Sequence, residues 1–551
     1  MIVIPAVLTD RLLVSIYVRR DIHENGMTLK EYADAVMAGT KPILSQDEYV
    51  YQFGSIQDEI TLVEDWATAN NLTIVESGSG IGTVKVNGTI ETFNNLFNIT
   101  LQSVTTDTGR TYITHTGKSV IPLEIDHVVQ IILGLDNSVQ LSNNAIKSET
   151  STGPILPNII SSPSPVDLAL AYKFPRTPGS DLVQGNGACV AIIELGGGWI
   201  TQNLTSTFSR ISQPNPTVVD ISVDGAINDG GIDPASAEVM LDIYCVAAVV
   251  PAAKMAVYFA PNSLQSFINS IIAATNDTVN NPSVISISWG TDEMVWAAWG
   301  MVAAFEVAFQ AAAVKGITVF VAAGDYGVKA ISSSALWTVQ YPATSPYCIA
   351  AGGTVVSIND DYSIASEVPW GTNGGLYAGG GGISMVVGMT AWQTGFTSKV
   401  YPGGAISPIT GRGIPDISAM ATGYTFYYGS TNQIGTFIGT SAVAPLLSGM
   451  MARLNQQSGR RNGYVTAGAY AALTTAFNDI TTGDNHGGNA AGYMATAGWD
   501  ACTGLGSPIG TQLYKLVNIG ETFPKSNYGF RPSSVAGGQA YPRSSTGIRL
   551  S

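Results

Sequence analysis

Cys189-Val-Ala-Ile-Ile-Glu-Leu195 is an extended apolar run, and four more follow it at 255–260, 284–289, 317–323 and 348–356. Each has the length of a buried strand, and long helical stretches lie between several of them. Strands alternating with helices predict an α/β fold with a largely parallel sheet, whose ligand sites sit at the carboxyl ends of its strands. One intervening stretch reads Asp233-Pro234-Ala-Ser-Ala-Glu238-Val-Met-Leu-Asp242 and continues to Pro251. Asp233 suits an N-cap, Pro234 the first helical position, and Pro251 the end. Between the two prolines the charged residues are Glu238 and Asp242. Four apart, they share one face of a helix that is otherwise apolar all round, and so buried. Two like charges there cost more than the roughly 0.2–0.5 kcal/mol of an exposed pair. One carboxyl is expected to rise in pKa and hold a proton for the other. That is a functional pattern rather than a solvated acidic stripe.

Outward from this region the chain divides. Residues 1–135 alternate short helical and extended patterns, with Ser45-Gln46-Asp47-Glu48 as a helix start, and read as a compact α+β (ferredoxin-like) unit. Residues 136–165 are polar and rich in Ser, Asn and Pro, the composition of a linker where a protease could cut. The α/β portion spans 166–518. A tail, 519–551, carries Lys525, Arg531, Arg543 and Arg549 against one acid, Glu521.

Bulk properties exclude several classes. At 551 residues the chain is too long for one core. With 25 basic against 40 acidic residues, a net charge of −15 argues against a nucleic-acid partner. No apolar run approaches 18 residues, so no membrane span is expected. Charged residues make up 12% of the chain, a composition that leans little on ionised carboxylates and tolerates acid. The four cysteines lack metal-ligand spacing, and Cys189, Cys245 and Cys348 fit buried free thiols. Asp10 and Arg11 come too early for a signal peptide.

Two further sites carry chemistry. Val321-Ala-Ala-Gly324-Asp325-Tyr326-Gly327 places a carboxyl directly after an apolar run, where α/β folds build sites. Gly439-Thr440-Ser441-Ala442 precedes a helical pattern and sets a hydroxyl near a positive dipole end. Such a serine usually takes histidine as its base. Here His23, His115 and His127 lie in the first quarter, and His486, in a polar loop, reads as a surface residue. The proton of Ser441 is therefore expected to pass to a carboxylate, which moves the chemistry toward acid pH. The run Gly379-Gly-Gly-Gly382 lacks the Lys-Ser/Thr of a phosphate loop and reads as substrate-lining backbone.

Together these segments resemble the sedolisins, the serine-carboxyl peptidases of the kumamolisin type. Glu238-Val-Met-Leu-Asp242, Ala256-Val-Tyr-Phe-Ala-Pro-Asn262, Ser286-Ile-Ser-Trp-Gly290, Gly324-Asp325, Gly379–Ser384, Gly411-Arg-Gly-Ile-Pro-Asp416, Gly439-Thr-Ser441 and Gly498-Trp-Asp-Ala-Cys-Thr-Gly-Leu-Gly506 occur in the family's order. Phe53-Gly54 and Val86-Asn-Gly-Thr89 are similar to its activation domain. Tyr326 departs from the family's usual serine.

The resemblance implies a subtilisin-like catalytic domain and an N-terminal inhibitory prodomain that acts on its own chain. It implies a zymogen of an acid-acting endopeptidase of protein or peptide substrates. Ser441 would be the nucleophile, Glu238 the general base and acid, Asp242 its orienter and Asp325 the oxyanion-hole donor. It implies one structural Ca2+ held by Asp479, Asp500 and the carbonyls of Ile480, Thr496 and Gly498. A glutamate base near its intrinsic pKa points to activity at about pH 3–5, and hence to an extracellular or acidic setting. Three alternatives stand beside this: a histidine-dependent subtilase using His486, a catalytically silent family member with a structural or binding role, and a tripeptidyl exopeptidase of the same family. Charging of His23, His115 and His127 in acid is a further expectation, as a trigger that loosens the prodomain.

Overall fold

The computed structural model describes residues 1–20, 26–148, 159–160, 162–176, 184–372, 374–472 and 475–519. His23, most of the tail and residues 149–158 of the linker lie outside them. The main sheet has parallel strands in the spatial order Thr217–Ser222, Lys254–Phe259, Cys189–Glu194, Val284–Ile287, Thr318–Ala322, Ile349–Asn359 and Ile417–Met420. Every residue of Cys189–Glu194, Val284–Ile287 and Thr318–Ala322 is buried, because helices cover both faces and leave no solvated side to alternate with. The strand Thr217–Ser222 is half-exposed at the sheet edge, so its sequence carries no continuous apolar signal.

Strand order reverses around Cys189–Glu194: the next two strands lie on one side, and all later ones on the other. A crevice opens at such a switch point, beyond the carboxyl ends of the strands. Glu194, Ser288 and Asp325 all stand there, at or just after the ends of their strands.

Helix Ser236–Val249 is buried along its whole length and packs against helix Val443–Ser458. It begins two residues later than the capping signals suggest. The Asp233 carboxylate accepts from the Ala235 N–H at 2.7 Å and so closes a turn ahead of the helix, while Ala235 occupies the N-cap without a side-chain bond.

The N-terminal unit is a ferredoxin-like βαββαβ. Its antiparallel strands lie in the order Thr73–Gly78, Thr83–Thr89, Arg11–Val18 and Val129–Leu133, with helices Gln57–Ala69 and Ile90–Phe97. Alternation along Arg11–Val18 assigns its two faces. Val14, Ile16 and Val18 enter the unit's own core. Ser15 and Tyr17 point the other way, onto helix Leu264–Asn276. There the Tyr17 hydroxyl donates to Asn269 at 2.7 Å, and Gln265 and Asn269 donate to Ser15. Two more helices, Leu29–Met37 and Gln46–Phe53, start in capping boxes built by Thr28 with Glu31 and by Ser45 with Glu48. Their apolar faces join the core of the α/β portion.

Among the described residues the ion pair joining the two portions is Lys85 to Asp224, at 3.0 Å and nearly inaccessible. Neither described imidazole of the N-terminal unit makes such a link. His127 is exposed beside Asp126, and the buried Nδ1 of His115 has no hydrogen-bond partner.

Candidate active site

Ser441 sits where strand Gln433–Ile438 gives way, through a 3-10 turn at Thr440–Ala442, to helix Val443–Ser458. Gly439 starts the turn at a φ of 148°. A Cβ there would lie 1.7 Å from the Asn144 carbonyl oxygen and 2.8 Å from Asp325 Oδ2, so only glycine fits.

Ser441, Glu238, Asp242 and Asp325 are all fully buried and converge at the switch point. Both carboxyl oxygens of Glu238 lack a hydrogen-bond partner. The Ser441 and Ser288 hydroxyls nonetheless lie close enough to draw its pKa down against a larger upward push from burial and from Asp242. The Ser288 hydroxyl is 2.9 Å from each carboxylate oxygen of Asp242, and it ties that side chain beside the Ser441 backbone. Glu194 supplies a third acid. It accepts from the Trp289 indole N–H at 3.1 Å, and its other oxygen is unpartnered. Burial first, then mutual repulsion, raises Glu194, Glu238 and Asp242 well above ordinary carboxyls. Three buried carboxyls that repel one another favour holding protons over carrying three separate charges.

Asp325 is polarised differently. Its Oδ1 accepts from the Thr440 N–H and hydroxyl, each at 2.8 Å, while Oδ2 is buried without a partner. Burial pushes its pKa up to about 8 against those two bonds. A protonated Oδ2 over Gly439 is an unspent hydrogen-bond donor, the requirement for stabilising an oxyanion.

The linker runs through this crevice. Leu141 is held by the Asn262 side chain, which accepts from its N–H at 2.8 Å and donates to its carbonyl at 2.9 Å. Ser142 and Asn143 pair antiparallel with Gly290 and Trp289, and Ile146 and Lys147 pair antiparallel with Ile438 and Phe437. The Asn144–Ala145 bond spans the gap between the two ladders. There the Asn144 N–H is 3.1 Å from Ser441 Oγ, and the Asn144 side chain meets Gln340 and the Ser288 carbonyl.

Several of these residues escaped the sequence reading. Glu194 ends the first buried strand, and a carboxyl at the end of a buried strand is the signal that singled out Asp325. Ser288 lay inside the Ser286–Gly290 segment without a role. Gln340 and Asn144 carry no sequence signal. The glycine run is buried behind the Asp325 turn. Gly380 donates to the Gly324 carbonyl at 2.7 Å, so the run buttresses the Asp325 turn. His486 bonds Asp484 through Nδ1 and stacks on Tyr401 with ring centroids 4.6 Å apart.

The loops near Asp479 and Asp500 fit a hard cation by their donors. Asp479 Oδ1 is buried and unpartnered, its Oδ2 accepts from the Gly498 N–H at 2.9 Å, and Asp500 Oδ2 accepts from the Thr496 N–H at 3.0 Å. All four cysteines are free and buried.

Comparison with known proteins covers most of the chain. Residues 11–138 match the pro-kumamolisin activation domain, and residues 235–493 match the subtilase family. Kumamolisin of Bacillus sp. (strain MN-32) is 35% identical over 521 residues, 92% of each chain. Sedolisin of Pseudomonas sp. (strain 101) is 28% identical, covering 72% of this chain and 69% of its own. A structure of Pseudomonas sedolisin, a serine-carboxyl proteinase complexed with two molecules of pseudo-iodotyrostatin, superposes with a TM-score of 0.55 at 26% identity. It covers 66% of this chain and 99% of that one.

Proposed function

This chain belongs to the sedolisin family of serine-carboxyl peptidases, and from that premise we propose that it is the zymogen of an acid-acting endopeptidase. Ser441 attacks the substrate carbonyl as its proton passes to Glu238. Asp242, fixed by Ser288, orients Glu238 and shares the proton load. The oxyanion takes a hydrogen bond from protonated Asp325. Glu238 then returns the proton to the leaving amine, and water repeats the sequence on the acyl-enzyme. Acid chemistry of this kind suits an extracellular or acidic setting. Among the described residues no helix is long and apolar enough to cross a membrane.

One observation carries the endopeptidase reading: residues 141–147 lie extended through the crevice, with chain continuing on both sides of the Asn144–Ala145 bond. A cleft that cuts three residues from a free amino terminus has to close on that terminus. The same pose makes Asn144–Ala145 the first bond cut in maturation, after which residues 1–144 remain as an inhibitor until released. On acidification the purified chain should yield a new amino terminus at Ala145, read by intact mass and terminal sequencing. Ser441→Ala should stay uncut. Long peptides should give internal fragments; a ladder of tripeptides would overturn this reading in favour of the exopeptidase.

Asp479, Asp500 and the carbonyls of Ile480, Thr496 and Gly498 would hold one Ca2+. Bound there, the ion would neutralise two carboxylates and pin the two loops together, a structural contribution. In the Ser441→Ala chain, chelation should lower Tm by roughly 5 °C or more. Asp479→Ala should reproduce that loss and make Tm insensitive to chelator. Equal Tm values with and without chelator in the unmodified loop would exclude the site.

A further inference from the structure

We propose that Gln340 makes the subsite for the residue on the acyl side of the cut bond selective for asparagine. The proposal rests on the peptidase reading above and deepens it by naming a substrate class. Gln340 is almost wholly buried, and its backbone is held by pairing with Asp292. Its carboxamide has a single sensible orientation, because Nε2 donates to the Ala330 carbonyl at 2.8 Å. Glycines let it pack close: a Cβ on Gly290 would fall 2.8 Å from its Oε1, and one on Gly324 3.0 Å from its Cδ. What remains for a ligand is a fixed acceptor, Oε1, beside a fixed donor, the second Nε2 hydrogen.

Asn144 fills both. Its Nδ2 donates to Gln340 Oε1 at 3.2 Å and its Oδ1 accepts from Gln340 Nε2 at 3.2 Å, a paired amide contact. The second Nδ2 hydrogen goes to the Ser288 carbonyl at 3.3 Å. The asparagine side chain thus uses both its donors and an acceptor in a site closed to water. Leucine fills similar space but leaves Gln340 Oε1 and the Ser288 carbonyl without that partner. Ionised aspartate presents oxygen to oxygen at both positions. A site built on buried hydrogen bonds rejects analogues that lack them much more strongly than a greasy pocket rejects a wrong size.

The test uses the acid-matured chain and quenched-fluorescence heptapeptides copying Leu141–Lys147, with Asn, Leu or Asp at the position of Asn144. Asn should exceed Leu and ionised Asp by roughly 10- to 100-fold in kcat/KM. Aspartate should recover in part below about pH 4, where its carboxyl protonates. Gln340→Met should erase the advantage by lowering the rate for Asn and raising that for Leu. Equal kcat/KM for all three peptides in the unmodified enzyme overturns the inference without any variant. Asn preference that persists in Gln340→Met overturns Gln340 as its source. Failure to cut any peptide or the linker defeats the peptidase reading itself, and this inference with it.

Discussion

Glu238→Gln is expected to lower kcat/KM by about 10⁴-fold or more while leaving the fold intact. Glutamine matches glutamate in size and buries no charge, but it cannot take the Ser441 proton. Both Glu238 oxygens lack fixed hydrogen bonds, so no structural bond is lost in the exchange. Removing one of three crowded acids also relieves the repulsion that raises their pKa values. Thermal stability should therefore be equal or higher, which separates a missing base from a damaged protein. The double variant Ser441→Ala with Glu238→Gln should be no worse than either alone, since the two act as one unit. His486→Ala should stay within about twofold of the unmodified rate, because that imidazole is committed to Asp484 and Tyr401. Initial rates on the asparagine peptide, with melting curves alongside, decide the matter. More than a tenth of the activity surviving in Glu238→Gln would remove it from the role of base.

The legible parts of this molecule were those whose physics is local or periodic. Strands buried on both faces announce themselves as unbroken apolar runs, and an acidic pair on an apolar helix has few structural excuses. Thr28 with Glu31 is as readable a helix start as Ser45 with Glu48, and the helix Leu29–Met37 follows it. Its apolar face is satisfied by the α/β portion, a contact outside any local window. Asp233 looked like a cap because proline followed it, but the turn it closes was decided by bonds along residues 229–235, where Asp229 accepts from Gly231, Ile232 and Asp233. Ser288 and Gln340 could not be read as site residues. They acquire their partners only when the sheet brings together residues 46 and 196 positions away. Glu194 was within reach, since a carboxylate ending a fully buried strand poses the same desolvation problem as Asp325.

Asp325 gives the second large effect, and its sign depends on pH. Asp325→Ala should cost about 10²–10³ in kcat, the usual loss on removing one oxyanion donor. Asp325→Asn should behave differently. The Thr440 N–H and hydroxyl both bond Oδ1, so an asparagine turns its carbonyl to Thr440 and leaves its NH2 where Oδ2 stood. That group donates to an oxyanion as a carboxylic acid does, but it does not ionise. In the unmodified enzyme the donor is present while Asp325 is protonated and is lost as pH rises through its pKa. That value is about 8 with the linker in place. Clearing the linker opens the carboxyl to water and moves the value down toward its ordinary value of about 3.9, so the alkaline limb of kcat/KM, which reports the free enzyme, lies at or below pH 8. Asp325→Asn should keep kcat within about tenfold of the unmodified enzyme in acid and hold it level where that enzyme declines. The acid limb, set by ionisation of the Glu238 and Asp242 pair, should be common to both. An alkaline limb of unchanged position in Asp325→Asn would mean that another group titrates there and that Asp325 does not supply the oxyanion proton.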